Sequence, residues 1–289
     1  MKAFLGTGLL GANFVRAMIQ KGEQVQVWNR TSSKASALEA YGAKAFEQVT
    51  DAVSGADTIH LTLKDDATVN EVLENAAPGF RPGVVIIDHT TTSAEGAVER
   101  TKYWKERGHT YLHAPVFMGP PNALESTGSM LVSGDQELIA RLTPELSAMT
   151  GRLINLGAET GRASGMKLVG NLFLITLTAG ISDTMALVKG LEIPMEDVLD
   201  LFSSWNPAAG MPARLKKMAG GDFSNPSWEL NMARKDAGLM IAAADQAGVN
   251  LAVLPAIAGE MDRWIEKGHG QDDWSVIAAD NVSSSAPQG

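Results

Sequence analysis

The chain has 289 residues, 45% of them hydrophobic and 20% charged, with a formal net charge of −9 at pH 7. These values describe a soluble globular protein of about two domains with a large core, and the acidic balance, without any Lys/Arg-rich block, argues against a nucleic-acid partner. There is no cysteine, which excludes disulfides and thiolate chemistry, and the five histidines lack the spacing of a structural zinc site.

The N-terminal stretch is apolar like a secretory leader but rich in glycine and without a small-residue cleavage site. It reads as a buried first strand, residues 2–6, of a cytoplasmic protein. Gly6, Gly8 and Gly11 follow at G-x-G-x-x-G spacing with Leu9 and Leu10 between them, then a helical period over 12–21 ending at Gly22, then a strand over 24–28. In that strand–turn–helix–strand context the glycines suit a dinucleotide. Gly6 permits the tight turn, Gly8 lets a pyrophosphate approach the backbone, and Gly11 lets helix and strand pack closely. A glycine turn between packed elements is the plainer alternative. The second strand ends in Asn29, Arg30 and Thr31, with Lys34 close behind, where a site selective for NAD would carry a carboxylate. Arg30 suits a 2′-phosphate, so the expected cofactor is NADP(H).

Strand and helix signals continue to alternate. A strand over 58–63 places Leu63 at the sheet edge where ligands collect in open α/β folds. A helix over 67–76 and a turn rich in proline and glycine lead to a strand over 84–88. His89, Thr90, Thr91, Thr92 and Ser93 follow it. The hydroxyls suit a substrate or a helix cap, with Ser93 as N-cap, and His89 suits a structural role better than that of a base. A strand over 109–113 runs into a rigid loop, 114–123, containing Phe117, Met118 and Gly119. Further strands, 130–133 and 152–156, flank a helix over 136–149.

Residues 161–189 are apolar on more than one face and long enough, at ~40 Å, to join two domains. Such a helix is expected to be buried against several elements and suits a subunit contact. Its interior Asn171 and Asp183 make membrane insertion costly, so no membrane is expected. Lys167 and Asn171, four apart, share one face. They suit chemistry at a domain junction, and equally an exposed cation beside a helix-terminal asparagine. Beyond it only helical patterns remain, over 195–203, 214–218, 228–247 and 255–267, with Lys235-Asp236 in the third. The tail from Asn281 reads as frayed. The expected architecture is α/β: a Rossmann domain, 1–160, and a helical domain, 161–289, joined by an inter-domain helix, 162–189.

The chain resembles the β-hydroxyacid dehydrogenase family, which includes 3-hydroxyisobutyrate dehydrogenases and glyoxylate or succinic semialdehyde reductases and is similar to 6-phosphogluconate dehydrogenases. Likeness covers roughly residues 1–280. It is carried by 6–11 with Asn29-Arg30-Thr31, by the substrate segment 88–92, by 161–171 with Lys167 and Asn171 in the catalytic places, and by Lys235-Asp236 with 268–275. The resemblance implies a hydride exchanged between NADP(H) and a small carbonyl or hydroxy compound, in a homodimer or homotetramer. It makes Lys167 the proton donor, its pKa lowered by a neighbouring cation, with Asn171 orienting it. Thr90 and Thr91 would bind the distal polar group, and Lys235 the cofactor or substrate. The family usually has a serine–glycine pair after A-P-V to hold a substrate carboxylate, and here Phe117 and Met118 stand there, followed by Gly119. That wall suits a bulkier, less polar carbonyl. Imine reductases share this fold and also lack the serine pair, but they usually lack the lysine too. An imine reductase is therefore the alternative, and a nucleotide-binding protein without activity a more distant one.

Overall fold

A computed structural model describes residues 1–282 of the chain. The first strands and helices are β1 (Lys2–Leu5), α1 (Leu9–Gln20), β2 (Val25–Trp28), α2 (Ser32–Ser36), β3 (Lys44–Ala45), α3 (Val49–Val53), β4 (Thr58–Leu61), α4 (Asp66–Ala76), β5 (Val85–Asp88), α5 (Ala94–Glu106) and β6 (Thr110–His113). Parallel strands need crossovers, and the intervening helices supply them. The six strands form one sheet in the order β3-β2-β1-β4-β5-β6, every pair parallel. Both sheet faces are covered, so its central strands are largely buried, polar residues such as His60 and Asp88 included. Along β1 the side chains alternate between two cores: Phe4 joins Phe14, Val27 and Ile87 on one face, while Ala3 and Leu5 join Ile59, Leu73 and Ile86 on the other. The strand order reverses between β1 and β4, which opens a crevice at their carboxyl ends.

A second sheet follows, from β7 (Val116–Phe117), β8 (Ser129–Val132) and β9 (Arg152–Asn155), with α6 (Pro120–Glu125) and α7 (Gln136–Ser147) between them. β7 runs antiparallel to β8, and β8 parallel to β9. The stretch 114–123, read from sequence as a rigid loop, is in fact a short strand and the start of a helix. Pro120 and Pro121 occupy the first turn of α6, where a missing N–H costs nothing.

The remaining helices are α8 (Arg162–Gly190), α9 (Met195–Ser204), α10 (Met211–Gly220), α11 (Leu230–Gln246) and α12 (Leu254–Trp264). The architecture is the expected one: an α/β Rossmann-like domain, a long linking helix and a mostly helical remainder. The chain divides into two units, Met1–Leu172 and Phe173–Gly289, so the division falls within α8. The second unit has its own core of Phe223, Leu230, Ala237, Met261, Trp264 and Val276. Asp183 has a structural task within it. Its carboxylate accepts the backbone N–H groups of Ala252, Val253 and Leu254 at 2.7, 2.9 and 2.9 Å, holding the start of α12.

The expected burial of α8 against several elements is not what this chain provides. Val169, Leu174 and Ile175 are 61%, 57% and 67% exposed. Apolar character fixes that a face is to be covered, not that the same chain covers it. Met232, Leu239 and Met240 of α11 are exposed as well. Most of the tail expected to fray lies outside the described residues.

Candidate active site

Local backbone chemistry builds the crevice. β1 ends at Leu5 and Gly6 turns the chain at φ +91°, where a Cβ would run into the carbonyl of Thr62. Thr62 Oγ1 donates to Gly6 O at 2.9 Å, tying the ends of β1 and β4 together. At Gly11 a Cβ would strike Gly6 O, so α1 lies against the turn only because that atom is missing. At Gly8 an added Cβ would meet open space, so the backbone there is open to approach. α1 begins at Leu9 with neither a side-chain cap nor an acidic residue in its first turn. The turn therefore offers a helix N-terminus to an anion.

The end of β2 is organised by Asn29. Its Oδ1 accepts Thr7 N–H at 3.0 Å, and its Nδ2 donates to Thr31 O at 3.0 Å. Arg30 reaches out to Glu71 at 2.9 Å, both side chains being about two-thirds exposed. Thr31 and Lys34 are exposed beside it. These donors, without a carboxylate at the end of β2, fit the 2′-phosphate of an NADP.

A groove of about 400 Å³ runs along the glycine turn. Gly8, Leu9, Leu10, Gly11 and Leu63 line it, together with Thr90, Thr91, Met118 and Lys167. Gly6, Asn29, Arg30, Thr31, Lys34, Phe117, Gly119 and Asn171 do not line it. Thr90 has a structural task there. Its Oγ1 accepts the Leu63 N–H at 2.9 Å, its own N–H goes to Asp88 at 2.8 Å, and its carbonyl accepts from His113 at 2.8 Å. It clamps the ends of β4, β5 and β6, while Thr91 is exposed. Gly119 gives its N–H to Asn122 at 2.9 Å and starts α6.

Lys167, on the first turns of α8, is only 9% exposed. Its Nζ donates to Asn171 Oδ1 at 2.9 Å and sits 4.3 Å from the centre of the Phe117 ring. Among the described residues no carboxylate pairs with it. Burial lowers its pKa from the usual lysine value, where the sequence pointed to a neighbouring cation as the cause. Lys235 belongs to the second unit, half exposed and paired with its neighbour Asp236 at 3.0 Å.

His89 borders the groove but is structural. Its Nδ1 donates to Ala114 O at 2.8 Å and its Nε2 meets His60 Nδ1 at 3.0 Å. Burial, then the neighbouring His60, push its pKa down to about 3. His60 in turn faces Glu145 at 3.1 Å, and Lys2 holds the same carboxylate at 2.8 Å. No sequence signal marked His60 or Glu145, because they lie far apart in the chain. Among the described residues no His/Asp/Glu cluster suited to a metal occurs.

The model of the NAD binding domain of 6-phosphogluconate dehydrogenase matches residues 2–157. The chain belongs to that family. The matched residues include the glycine turn and most of the groove just described. Residues 159–281 match the C-terminal domain of NADPH-dependent reductive aminase-like proteins. A probable 3-hydroxyisobutyrate dehydrogenase of Mycobacterium tuberculosis is 26% identical, covering 95% of both chains. An imine reductase from Myxococcus stipitatus in complex with NADP+ superposes with a TM-score of 0.89 at 21% identity, over 96% of this chain and 98% of the other. A reductive aminase from Aspergillus terreus in complex with NADPH4, cyclohexanone and allyl amine gives 0.86 at 23%, over 96% and 97%. At that identity the superpositions show the shared fold. Together these findings identify a nicotinamide-dependent oxidoreductase of this family. They do not single out the β-hydroxyacid dehydrogenases that the sequence resembles.

Proposed function

We propose that the protein is an NADPH-dependent reductase of small C=N compounds, an imine reductase or reductive aminase in class, with Lys167 as its proton donor. One observation carries the proton-donor role in this reading. Lys167 is a largely buried ammonium without a carboxylate partner among the described residues, held by Asn171 on the wall of the groove that follows the glycine turn. The likeness of residues 159–281 to reductive aminase-like proteins favours C=N over C=O, and the relatives solved with NADP+ and NADPH4 support the cofactor.

The cofactor supplies the hydride. The backbone N–H groups at Gly8–Gly11 hold its pyrophosphate, and Arg30, Thr31 and Lys34 hold the 2′-phosphate. Asn171 fixes the Lys167 Nζ by its hydrogen bond. When the substrate carbon accepts the hydride, its nitrogen gains an electron pair and takes a proton from Lys167, leaving a neutral amine on both. Burial assists this step, because it favours the neutral lysine.

Carbonyl reduction by the same lysine is the second reading. It is favoured by the retained Lys167 and by the relative named as a probable 3-hydroxyisobutyrate dehydrogenase. In that case the proton goes to the alkoxide oxygen, and Thr91 binds the distal polar group.

NADPH consumption by the purified protein separates the two readings. The probes are a cyclic imine, an uncharged ketone with and without an amine, glyoxylate and succinic semialdehyde. Turnover of the imine and of the ketone only with amine is expected, and turnover of the carbonyls alone transfers the assignment to the second reading. K167A is expected to lower kcat by about 10²–10⁴-fold with NADPH affinity kept. A kcat within about tenfold of the parent removes Lys167 from the mechanism. The rate of reduction is expected to fall as pH rises through the lysine pKa, which lies below 10.5.

A further inference from the structure

A proton donor works only from one place, since a misplacement of about 1 Å costs on the order of 10²-fold in rate. Asn171 and Phe117 hold the Lys167 side chain itself. The Phe117 ring packs on α8 at Gly170, where an added Cβ would strike it, and lies 4.3 Å from the ammonium. The helix that carries the lysine is fastened one turn earlier. It starts after Gly161, whose φ of +89° and missing Cβ let the chain close onto α5 at Ala94 and Val98. A glycine has no side chain to cap a helix, and the cap comes from another element. Ala163 N–H donates to Oγ of Ser133, the residue that follows β8, at 2.9 Å. Ser164 Oγ donates to Thr92 O, in the segment that leaves β5, at 2.7 Å.

Both serines are buried. Alanine suits a helix better than serine, and a buried hydroxyl is unfavourable unless it is bonded. The two hydroxyls stand where they tie the first turn of α8 to the ends of two different strands. Lys167 follows Ala163 by four positions and Ser164 by three, so it rises from the same side of the helix, about 5 Å further along. Thr92 is in turn linked to Thr90. His113 Nε2 donates to Thr90 O at 2.8 Å and meets Thr92 Oγ1 at 3.3 Å. The segment that lines the groove with Thr90 and Thr91 is thus also the one to which Ser164 is tied. We propose that Ser133 and Ser164 are positioning residues for the reaction: they fasten the first turn of α8 to the ends of β8 and β5 and so set where the Lys167 ammonium stands against the groove. This rests on Lys167 as the proton donor. Neither serine lines the groove, so both act through Lys167.

The test uses the full-length protein with NADPH and a cyclic imine. S164A and S133A are each expected to lower kcat by about tenfold or more, while the KM for NADPH stays near the parent value. In the K167A background the same substitutions are expected to change the residual rate far less, because the group they position is gone. Acylation of Lys167 by a water-soluble amine reagent, read by peptide mass, needs no turnover. It is expected to quicken severalfold in both variants as the first turn loosens, with the exposed Lys64 labelled at the parent rate. If S164A fails to fold, S133A carries the same measurements. A kcat near the parent value in both variants overturns the proposal, as does an equal fold loss with and without Lys167, or unchanged labelling of Lys167. Failure of the Lys167 assignment is distinguishable, because K167A would then keep its turnover while the labelling still reports how firmly the first turn of α8 holds the amine.

Discussion

Arg30 is the side chain expected to select the cofactor. Its partner in the structure is Glu71, and both groups are largely in water, where such a pair is worth ~0–1 kcal/mol. A 2′-phosphate offers two oxygens to the same guanidinium and readily replaces the carboxylate. R30A is therefore expected to weaken NADPH binding by about 10–100-fold, the range of a charged hydrogen bond at ~1.5–3 kcal/mol, while NADH binding stays near the parent value. Fluorescence titration with both cofactors reads this directly. Equal weakening of both would mean that Arg30 shapes the loop and does not hold the phosphate. The Lys167–Asn171 pairing was legible in the sequence, because it depends on residues four positions apart, whereas the Arg30–Glu71 pair spans 41 positions. The ring beneath Lys167 was not legible. Phe117 was recognised as a replaced serine, but its seat at Gly170 depends on β7 meeting α8, which no local pattern encodes. Thr90 was legible as a hydroxyl at a strand end, but its bond to Leu63 N–H appears only when β4 and β5 lie side by side.

At the level of elements, the glycine turn joins β1 to α1 through three glycines with different tasks. Gly11 is needed by the protein itself, since a Cβ there strikes Gly6 O. Gly8 is not needed by the packing, since a Cβ there meets nothing, and its expected task is toward the cofactor. G11A is expected to lower the melting temperature by several degrees, as a strained core substitution does at ~1–3 kcal/mol. G8A is expected to melt within a degree or two of the parent yet bind NADPH at least tenfold more weakly. A G8A protein that binds NADPH normally would show that the pyrophosphate lies elsewhere. The strands and helices around this turn were readable from their periods of two and of 3.6. The stretch 114–123 was not, because two adjacent prolines signal rigidity without saying whether a loop or the first turn of a helix follows. The two-residue strand β3 is too short to show any period.

Two properties belong to the molecule as a whole. The first is acid lability. Burial lowers the pKa values of His60, His89 and His113, that of His89 to about 3. The folded chain therefore binds fewer protons than the unfolded chain below the ordinary histidine pKa of 6.5. Stability is full above that pH and falls as pH drops through it, by ~1.4 kcal/mol per pH unit for each histidine kept neutral. Burial also raises the Glu145 pKa, but His60 and Lys2 outweigh it and bring the carboxyl down to about 2, so its contribution is lost between 4.5 and about 2. Urea unfolding at pH 7 and pH 5 is expected to show a clear loss, and a flat profile would mean that these histidines are charged in the folded state. The second property is the uncovered face of α8. An 18-residue window of this helix has a mean hydropathy of 1.5 and only 6% of it is buried within the chain. Apolar surface on that scale marks an interface. A bilayer is a poor cover for it, because Asp183 is committed to the N–H groups at the start of α12 and has no apolar substitute for that bond. A second copy of the chain requires no such sacrifice, and symmetric pairing is the commonest way a protein covers its own apolar face. Light scattering is expected to give at least a dimer for the parent protein. I175E places a charge on a residue 67% exposed in the single chain, so it leaves the fold of that chain intact and is expected to yield monomers. A parent protein that is monomeric and stays in solution at micromolar concentration would show that α8 finds its cover by another route.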